Sequence, residues 1–197
     1  MSERTKSILW VIVTGVLMLG FTGAVLSDYD DDDDDDHRGR RSSRDVAPVT
    51  NVLYAEECSA CHMAYQPGLL PESAWETVMA PEGLIDHYGD DASLGEAARA
   101  EIEEYLTNHS ADKAKRSRSR AFAKGSLSSA VKPGESLPRI SATRYFLHEH
   151  DEIPERLVSG NPDVLSYSQC DACHRAADDG IYNEHQVIIP GAGPWDD

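Results

Sequence analysis

The four cysteines of this 197-residue chain form two pairs with the same spacing, and each pair is followed directly by a histidine. The two stretches read Cys58-Ser-Ala-Cys61-His62 and Cys170-Asp-Ala-Cys173-His174. This C-x-x-C-H spacing is the attachment signature of c-type haem: two thiols bond to the vinyl groups of one haem, and the adjacent histidine is placed under the iron. The sequence therefore predicts two covalently attached haems, with His62 and His174 as the proximal iron ligands.

A structural zinc site and a pair of disulfides are the alternative interpretations of the same cysteines. All four thiolates could bind one zinc ion, but the long separation of the pairs is atypical of compact zinc modules and leaves both histidines unexplained. A disulfide within C-x-x-C closes a loop too small to stabilise a fold much, and it does not call for a following histidine. Haem attachment accounts for all six residues.

The N-terminal residues 1–27 predict a signal peptide or a membrane anchor. Residues 8–26 are uncharged and mostly apolar, with Arg4 and Lys6 before them and Asp28 and Asp30 after them. This is the charge order of an export signal, and the stretch is also long enough to span a bilayer as a helix. In both cases the rest of the chain lies outside the cytoplasm. We expect a periplasmic protein, soluble after cleavage or anchored to the inner membrane through residues 8–26.

Composition divides the exported part of the chain. Residues 28–50 contain an unbroken run of aspartates followed by arginines, which predicts a disordered tether. Two acidic stretches then flank a basic one, so we expect a first haem lobe at 51–112, a basic connector at 113–139 and a second haem lobe at 140–197. The formal net charge of -17 argues against nucleic-acid binding and favours basic redox partners.

The local sequence predicts a mostly α-helical fold. A helix over 93–108 is indicated by helical periodicity and by Ser93 and Glu96, which have capping-box spacing. A second helix is expected from Ser141 to about Glu149, a short strand at 186–189, and an exposed helix end and loop in the connector. Aromatic residues make up only 7% of the chain, so the expected architecture is two small cytochrome c-like lobes with long loops, in which the haems form much of the core.

The sixth iron ligand of the first haem has three candidates. His87 lies between the attachment motif and the predicted helix, where small c-type cytochromes place a distal ligand. His109 falls on the apolar face near the end of that helix, and the alternative interpretation of this residue is a C-terminal cap. Met79 reads better as a core residue. We favour His87 and keep His109 as its rival.

The second haem has candidates on both sides of its attachment motif. His148 and His150 are two residues apart and so point to nearly opposite sides of a helix. His150 shares a face with Phe146 and Ile153, which suits a ligand entering an apolar haem pocket, whereas His148 faces solvent. His185 is a further candidate. We favour His150 as the distal ligand, with His148 as its main rival.

The stretches around the favoured histidines resemble the small exported dihaem cytochromes c called DHC. Besides the attachment motifs, the resemblance is carried by three stretches: Leu84-Ile-Asp-His87-Tyr-Gly-Asp-Asp-Ala92, Ile102-Glu-Glu-Tyr105-Leu106 and Ile140-Ser-Ala-Thr-Arg144-Tyr-Phe-Leu-His-Glu-His150-Asp-Glu-Ile153. It implies two haem lobes, bis-histidine ligation through His87 and His150, and electron transfer, often to a monohaem cytochrome c or alongside a membrane b-type cytochrome. His109 and the aspartate run depart from the family pattern.

The leading functional hypothesis is therefore an electron carrier outside the cytoplasm, with two haem c groups and no catalytic residues. A dihaem enzyme with an open or labile sixth site, such as a peroxidase, is the first alternative. The second alternative is the small electron-supplying subunit of a periplasmic reductase. The sequence shows no hydrolytic or phosphate-binding constellation.

Overall fold

The structure is a computed structural model that describes residues 45–125 and 130–195. The predicted signal or anchor at 1–27, and residues 28–44 of the predicted tether, lie outside these ranges. Within them no helix is long and apolar enough to span a membrane. The described helices, in chain order, are α1 (Val52–Cys58), α2 (Glu72–Met79), α3 (Pro81–Ile85), α4 (Glu96–Asn108), α5 (Ser117–Phe122), α6 (Arg144–Glu149) and α7 (Cys170–Cys173).

Short 3-10 turns and one small sheet complete the described secondary structure. The turns are Pro67–Leu69, Ile140–Ala142, Glu155–Leu157, Ala177–Asp179 and Glu184–Gln186. Strands β1 (Ile188–Ile189) and β2 (Gly193–Pro194) pair antiparallel. The expectation of a mostly helical protein is confirmed.

The first hydrophobic core lies between α1, α2 and α4. Helix α4 buries Ile102 and Leu106 completely, as its periodicity predicts. Against this face pack six further buried residues, namely Tyr54, Leu70, Ala74, Trp75, Met79 and Leu84. This core brings α1, which ends at the first attachment cysteine, close to the chain that leads to His87.

The predicted start of α4 is wrong. The helix begins at Glu96, and Gly95 before it provides no side-chain cap. The backbone N–H of Ser93 donates to the carboxylate of Asp91 (2.9 Å), a local turn that keeps Ser93 in the loop. Glu96 pairs with Arg99 (3.0 Å) one turn further along the helix. The capping box therefore does not form.

The second helix and the strand are also shorter than predicted. Residues 140–142 form a 3-10 turn, and Thr143 is extended, so α6 starts at Arg144. The Thr143 hydroxyl caps it by accepting from the N–H of Phe146 (3.3 Å). Gln186 lies in a 3-10 turn, because the side chain of Asn183 caps that turn at His185. Val187 is extended, but of the predicted strand only Ile188 and Ile189 belong to the sheet.

The basic connector is more than an exposed helix end and loop. Its helix α5 buries Ser119 and Phe122, leaves Arg120 exposed and holds Arg118 half-buried. Phe122 joins a second hydrophobic core with Val46, Leu69, Ala111 and Phe146. Each of the three expected segments, 51–112, 113–139 and 140–197, contributes at least one residue to this core, and Val46 precedes all of them. The domain boundaries stay a prediction.

One glycine anchors the start of the described chain. The carbonyl of Gly180 accepts the N–H groups of Asp45 (2.8 Å) and Val46 (3.0 Å). Gly180 has a φ of +72°, and a Cβ at this position would collide with the backbone oxygen of Val46. Only glycine suits this close approach, which puts the Val46 side chain into the second core.

Candidate haem-binding sites

The first candidate site brings together the first attachment motif and the turn that carries His87. Cys58 is the last residue of α1, and Cys61 is exposed in the turn that follows. The ring of His62 faces the ring of His87, with 6.4 Å between the ring centroids and 24° between the planes. The Nδ1 atom of His62 lies 2.7 Å from the carbonyl oxygen of Met63. An Nδ1–H that donates there leaves Nε2 free to bind a metal.

A tight turn presents His87 to this site. Tyr88 and Gly89 both have positive φ angles, +58° and +105°, as in the two-residue turns that join antiparallel chain segments. The turn is closed by a bond from the N–H of His87 to the carbonyl of Asp90 (2.7 Å). The ring of Tyr88 contacts the ring of His87 edge-on at 4.8 Å. Backbone geometry and an aromatic neighbour together orient the imidazole.

The second candidate site combines α7 with the end of α6. The N–H of His174 donates to the carbonyl of Cys170 (2.8 Å), which places the histidine directly after the helix that carries both thiols. His150 is the C-terminal cap of α6, and its ring lies 6.1 Å from that of His174 with 73° between the planes. The Nδ1 atom of His150 lies 2.9 Å from the carbonyl oxygen of Phe146, and the Phe146 ring stacks on the imidazole at 3.9 Å.

Both histidine pairs have the spacing of imidazoles that share a metal ion. A metal–nitrogen bond to histidine is about 2 Å long and each ring adds about 1 Å, so centroids on opposite sides of one ion lie about 6 Å apart. The observed distances are 6.4 Å and 6.1 Å. The residues present therefore fit an iron held between two imidazoles at each site.

A cavity of about 340 Å³ surrounds the second histidine pair. His150, His174 and the two thiols of α7 line it, together with apolar side chains that include Phe146 and Ile189. Arg118 of α5 also lines the cavity, with its guanidinium 3.1 Å from the hydroxyl of Tyr145 and 3.6 Å from the carboxylate of Glu149. A cavity lined by apolar side chains, two thiols and two imidazoles suits a flat apolar group that binds through both. Arg118 shares the lining with four carboxylates, those of Glu149, Asp151, Glu152 and Glu184.

Burial lowers the pKa of His87, His150 and His174 and so favours the neutral form of these imidazoles, which is the form that binds metals. Desolvation, with smaller contributions from His150 and Arg118, lowers the pKa of His174 to about 4. Desolvation is also the main cause that lowers the pKa of His150 and of His87. Burial raises the pKa of the Cys58 thiol to about 11 and that of Cys170 to about 12.

Comparison with known proteins identifies the family. The family model of dihaem cytochrome c, DHC, matches residues 54–182. The chain belongs to the dihaem cytochrome c family. It therefore has two haem c groups, and the predicted cofactor and family are confirmed. No curated protein matches the chain.

Solved dihaem cytochromes share the fold. A dihaem cytochrome c from Shewanella baltica OS155 is 40% identical, with 74% of this chain and 98% of that chain covered and a TM-score of 0.58. A dihaem cytochrome c from Rhodobacter sphaeroides is 38% identical, with 70% of this chain and all of that chain covered and a TM-score of 0.56. DHC purified from Rhodobacter sphaeroides is 38% identical, with a TM-score of 0.52 over 68% of this chain and 99% of that chain.

The other candidate iron ligands of this dihaem cytochrome are His109, Met79, His148 and His185, and each makes contacts outside the two facing histidine pairs. His109 is exposed and caps α4, with Nδ1 2.8 Å from the carbonyl oxygen of Tyr105. Met79 is a buried core residue. The His148 side chain is 79% exposed and lies 4.0 Å from Asp151, and the His185 side chain is 59% exposed and lies 3.7 Å from Glu184. The assignment of His87 and His150 as distal ligands stays a prediction, now with a geometric basis.

The zinc and disulfide interpretations find no support in the arrangement of the cysteines. No disulfide joins any of the four cysteines. In the part of the chain that the structure describes, no three or more His, Cys, Asp or Glu side chains gather into a group that could hold a metal ion. Cys170 and Cys173 instead line one cavity together with His150 and His174, and Cys61 lines another together with His62.

The different ring angles predict two distinct paramagnetic resonance signals from the oxidised holoprotein. Nearly parallel imidazoles split the two iron d orbitals of π symmetry, whereas nearly perpendicular ones leave those orbitals close in energy and raise the largest g value. The pair His62–His87 is at 24° and the pair His150–His174 at 73°. We expect one ordinary low-spin signal and one with a larger maximal g value. Two identical signals would contradict this geometry.

Proposed function

We propose that this dihaem cytochrome carries electrons between redox partners outside the cytoplasm, and that His62 and His87 would hold the iron of one haem and His150 and His174 the iron of the other. The observation that supports this most directly is that each proximal histidine faces a second histidine at the spacing of a shared metal ion. Bound haem supplies reversible one-electron chemistry at the iron. The role of the chain is to bind, orient and shield that group.

The ligand histidines are arranged to favour the oxidised state. His62 and His150 each lie with Nδ1 within hydrogen-bond distance of a backbone carbonyl, which fixes the tautomer and raises the basicity of Nε2. A histidine in the sixth position also lacks the potential-raising effect of a methionine ligand. Low reduction potentials for both sites follow from these two features.

The facing histidines also argue against the alternative of a peroxidase-like dihaem enzyme. A peroxidase-like reaction needs a sixth position that peroxide can reach, and in this proposal His87 and His150 fill those positions. Phe146 stacks on His150 and restricts its movement away from His174. The geometry thus favours an electron carrier over a dihaem enzyme with an open site.

Location and partners belong to the same proposal. The charge order of residues 1–27 supports export to the periplasm, and covalent haem attachment of this type takes place outside the cytoplasm. The net charge of -17 supports docking to basic partners. Family resemblance suggests a monohaem c-type cytochrome or a membrane b-type cytochrome as that partner.

Carbon monoxide distinguishes the proposal from its main alternative. We expect the reduced holoprotein to show low-spin optical spectra for both haems, unchanged when carbon monoxide is added, because a histidine occupies each sixth position. The measurement is a difference spectrum of the dithionite-reduced protein, with peroxide consumption by the same sample as a second readout. A carbon monoxide complex, or peroxide turnover, would instead favour the enzyme. Co-purification with a large catalytic subunit would favour the reductase alternative.

A further inference from the structure

Two tyrosines link the candidate haem sites, and Tyr65 is the first of them. Its ring stacks on His62, with 4.7 Å between the centroids and 22° between the planes. Its hydroxyl donates to the carbonyl oxygen of Ser168 (2.6 Å), two residues before Cys170 of the second attachment motif. Tyr65 also packs against both hydrophobic cores. One side chain thus contacts the proximal histidine of the first site and holds the backbone of the second.

Tyr182 makes the corresponding link in the opposite direction. Its ring contacts His174 edge-on, with 5.4 Å between the centroids. Its hydroxyl donates to the side-chain oxygen of Gln66 (2.6 Å), the residue that follows Tyr65. Gln66 is completely buried, and its side-chain nitrogen donates to the carbonyl of Ala177 (2.7 Å), three residues after His174. Each site therefore contributes a tyrosine that is hydrogen-bonded to a segment of the other.

The hydrogen bond from Gln66 to Ala177 is buried and the two tyrosine hydroxyl bonds are half-buried, so all three are at least partly shielded from water. Gln66 uses both its oxygen and its nitrogen, and no polar atom of its side chain is left unpaired. A fully satisfied buried network of this kind defines one arrangement of the segments it joins.

We propose that Tyr65 and Tyr182 are positioning residues that fix the two haem sites relative to each other and thereby set the rate of electron transfer between them. The inference rests on the proposed electron-transfer function. In the step concerned, one electron leaves the reduced iron and reaches the oxidised iron; no covalent bond forms or breaks, and the tyrosine protons stay in place. The rate of such a step depends steeply on the distance and orientation of donor and acceptor.

The hydroxyl groups separate a positioning role from simple packing. Filling space beside His62 and His174 requires the aromatic rings alone, whereas the links to Ser168 and Gln66 require the hydroxyls. Substitution of tyrosine by phenylalanine keeps the rings and removes only the links. The variants Tyr65→Phe and Tyr182→Phe, alone and combined, therefore test the proposal with little change in volume.

The experiment measures electron exchange within the half-reduced holoprotein. Exchange cross-peaks between the haem methyl signals of its two one-electron-reduced forms give the intramolecular rate in an NMR spectrum. We expect each single variant to slow this exchange about threefold and the double variant about tenfold or more, since small displacements of reacting groups are costly. Pulsed paramagnetic resonance of the fully oxidised double variant should show a broader iron–iron distance distribution than the wild type.

Tyr105→Phe is the matched control. Tyr105 also contacts a histidine, His109, with 4.7 Å between the ring centroids, and its hydroxyl also makes a hydrogen bond to the backbone, accepting from the N–H of Thr50 (2.9 Å). Neither His109 nor Thr50 belongs to a haem site in the proposed arrangement. We expect wild-type exchange and an unchanged distance distribution in this variant.

Wild-type exchange and distances in the double variant would overturn the proposal, even if its melting temperature falls, because a purely structural role would lower only stability. Equal slowing in Tyr105→Phe would overturn it as well. If the double variant fails to fold, the two single variants decide the question by the same criterion. Failure of the electron-transfer function itself would be seen in the wild type, as carbon monoxide binding or as absence of exchange, before any variant is compared.

Discussion

Replacing both Cys170 and Cys173 with serine is expected to give a protein with one haem and a strongly destabilised second core. Without its thioether bonds the second haem is no longer held, and the cavity of about 340 Å³ around His150 and His174 loses its filling. At about 24 cal/mol for each Å³ of unfilled volume, the cost reaches about 8 kcal/mol. This figure is an upper bound, because part of the cavity opens to water. It is nevertheless comparable with the whole stability of a small domain.

Mass spectrometry of the purified variant gives the number of attached haems, and circular dichroism gives its thermal unfolding. The matched control replaces Cys58 and Cys61 with serine, which removes the first haem by the same chemistry. The first core has eight buried residues of its own and the second has five, so the control should lose less stability. Retention of both haems in the Cys170 and Cys173 variant, or greater destabilisation in the control, would contradict the expectation.

The haem chemistry could be predicted because its determinants are local. A thiol pair and a histidine within five residues, Cys58 to His62, define the attachment site whatever surrounds them. The helical period of α4 is also a local property, and its buried residues Ile102 and Leu106 follow from it. The start of that helix could not be predicted in the same way. A capping box would join the N–H of Ser93 to the carboxylate of Glu96, but Asp91 accepts from that N–H and Arg99 pairs with that carboxylate.

In the basic connector, the many charged residues obscured the sequence signal of two buried positions. Four basic residues within six positions made residues 115–120 read as a solvated surface, yet Ser119 and Phe122 of the same helix are buried. The helix has six residues, less than two turns, which is too short for a helical period of apolar residues to be recognised among the charged ones. Its buried face is specified by Leu69 and Phe146, which are remote in sequence.

The hydrogen bonds that link the two haem sites could not be predicted from any local sequence pattern. Tyr182 and Gln66 are 116 residues apart, and Tyr65 and Ser168 are 103 apart. Neither pair carries a spacing or periodicity that a single sequence could reveal. The distal ligands are an intermediate case: helix geometry separated His150 from His148, but only the folded chain shows which histidine faces His174.

Replacing a distal histidine with alanine is expected to open one iron to external ligands. In His150→Ala the imidazole that faces His174 is removed, so the reduced protein should bind about one carbon monoxide per chain and show a high-spin signal for one of its two haems. His87→Ala should do the same at the first site, where His62 loses its partner at 6.4 Å. Optical titration with carbon monoxide gives the stoichiometry of each variant, and the wild type should bind none.

The rival histidines provide matched controls for these two substitutions. His148 is two residues from His150 and largely exposed, and His109 caps the helix that follows His87 in the sequence. Because neither side chain fills a sixth position in the proposed arrangement, His148→Ala and His109→Ala should leave the spectra low-spin and carbon monoxide unbound. Binding of carbon monoxide by His109→Ala but not by His87→Ala would assign the first distal ligand to His109, and the corresponding result at the second site would assign it to His148. Since each substitution changes one haem of two, the unaffected haem serves as an internal standard for correct assembly in every sample.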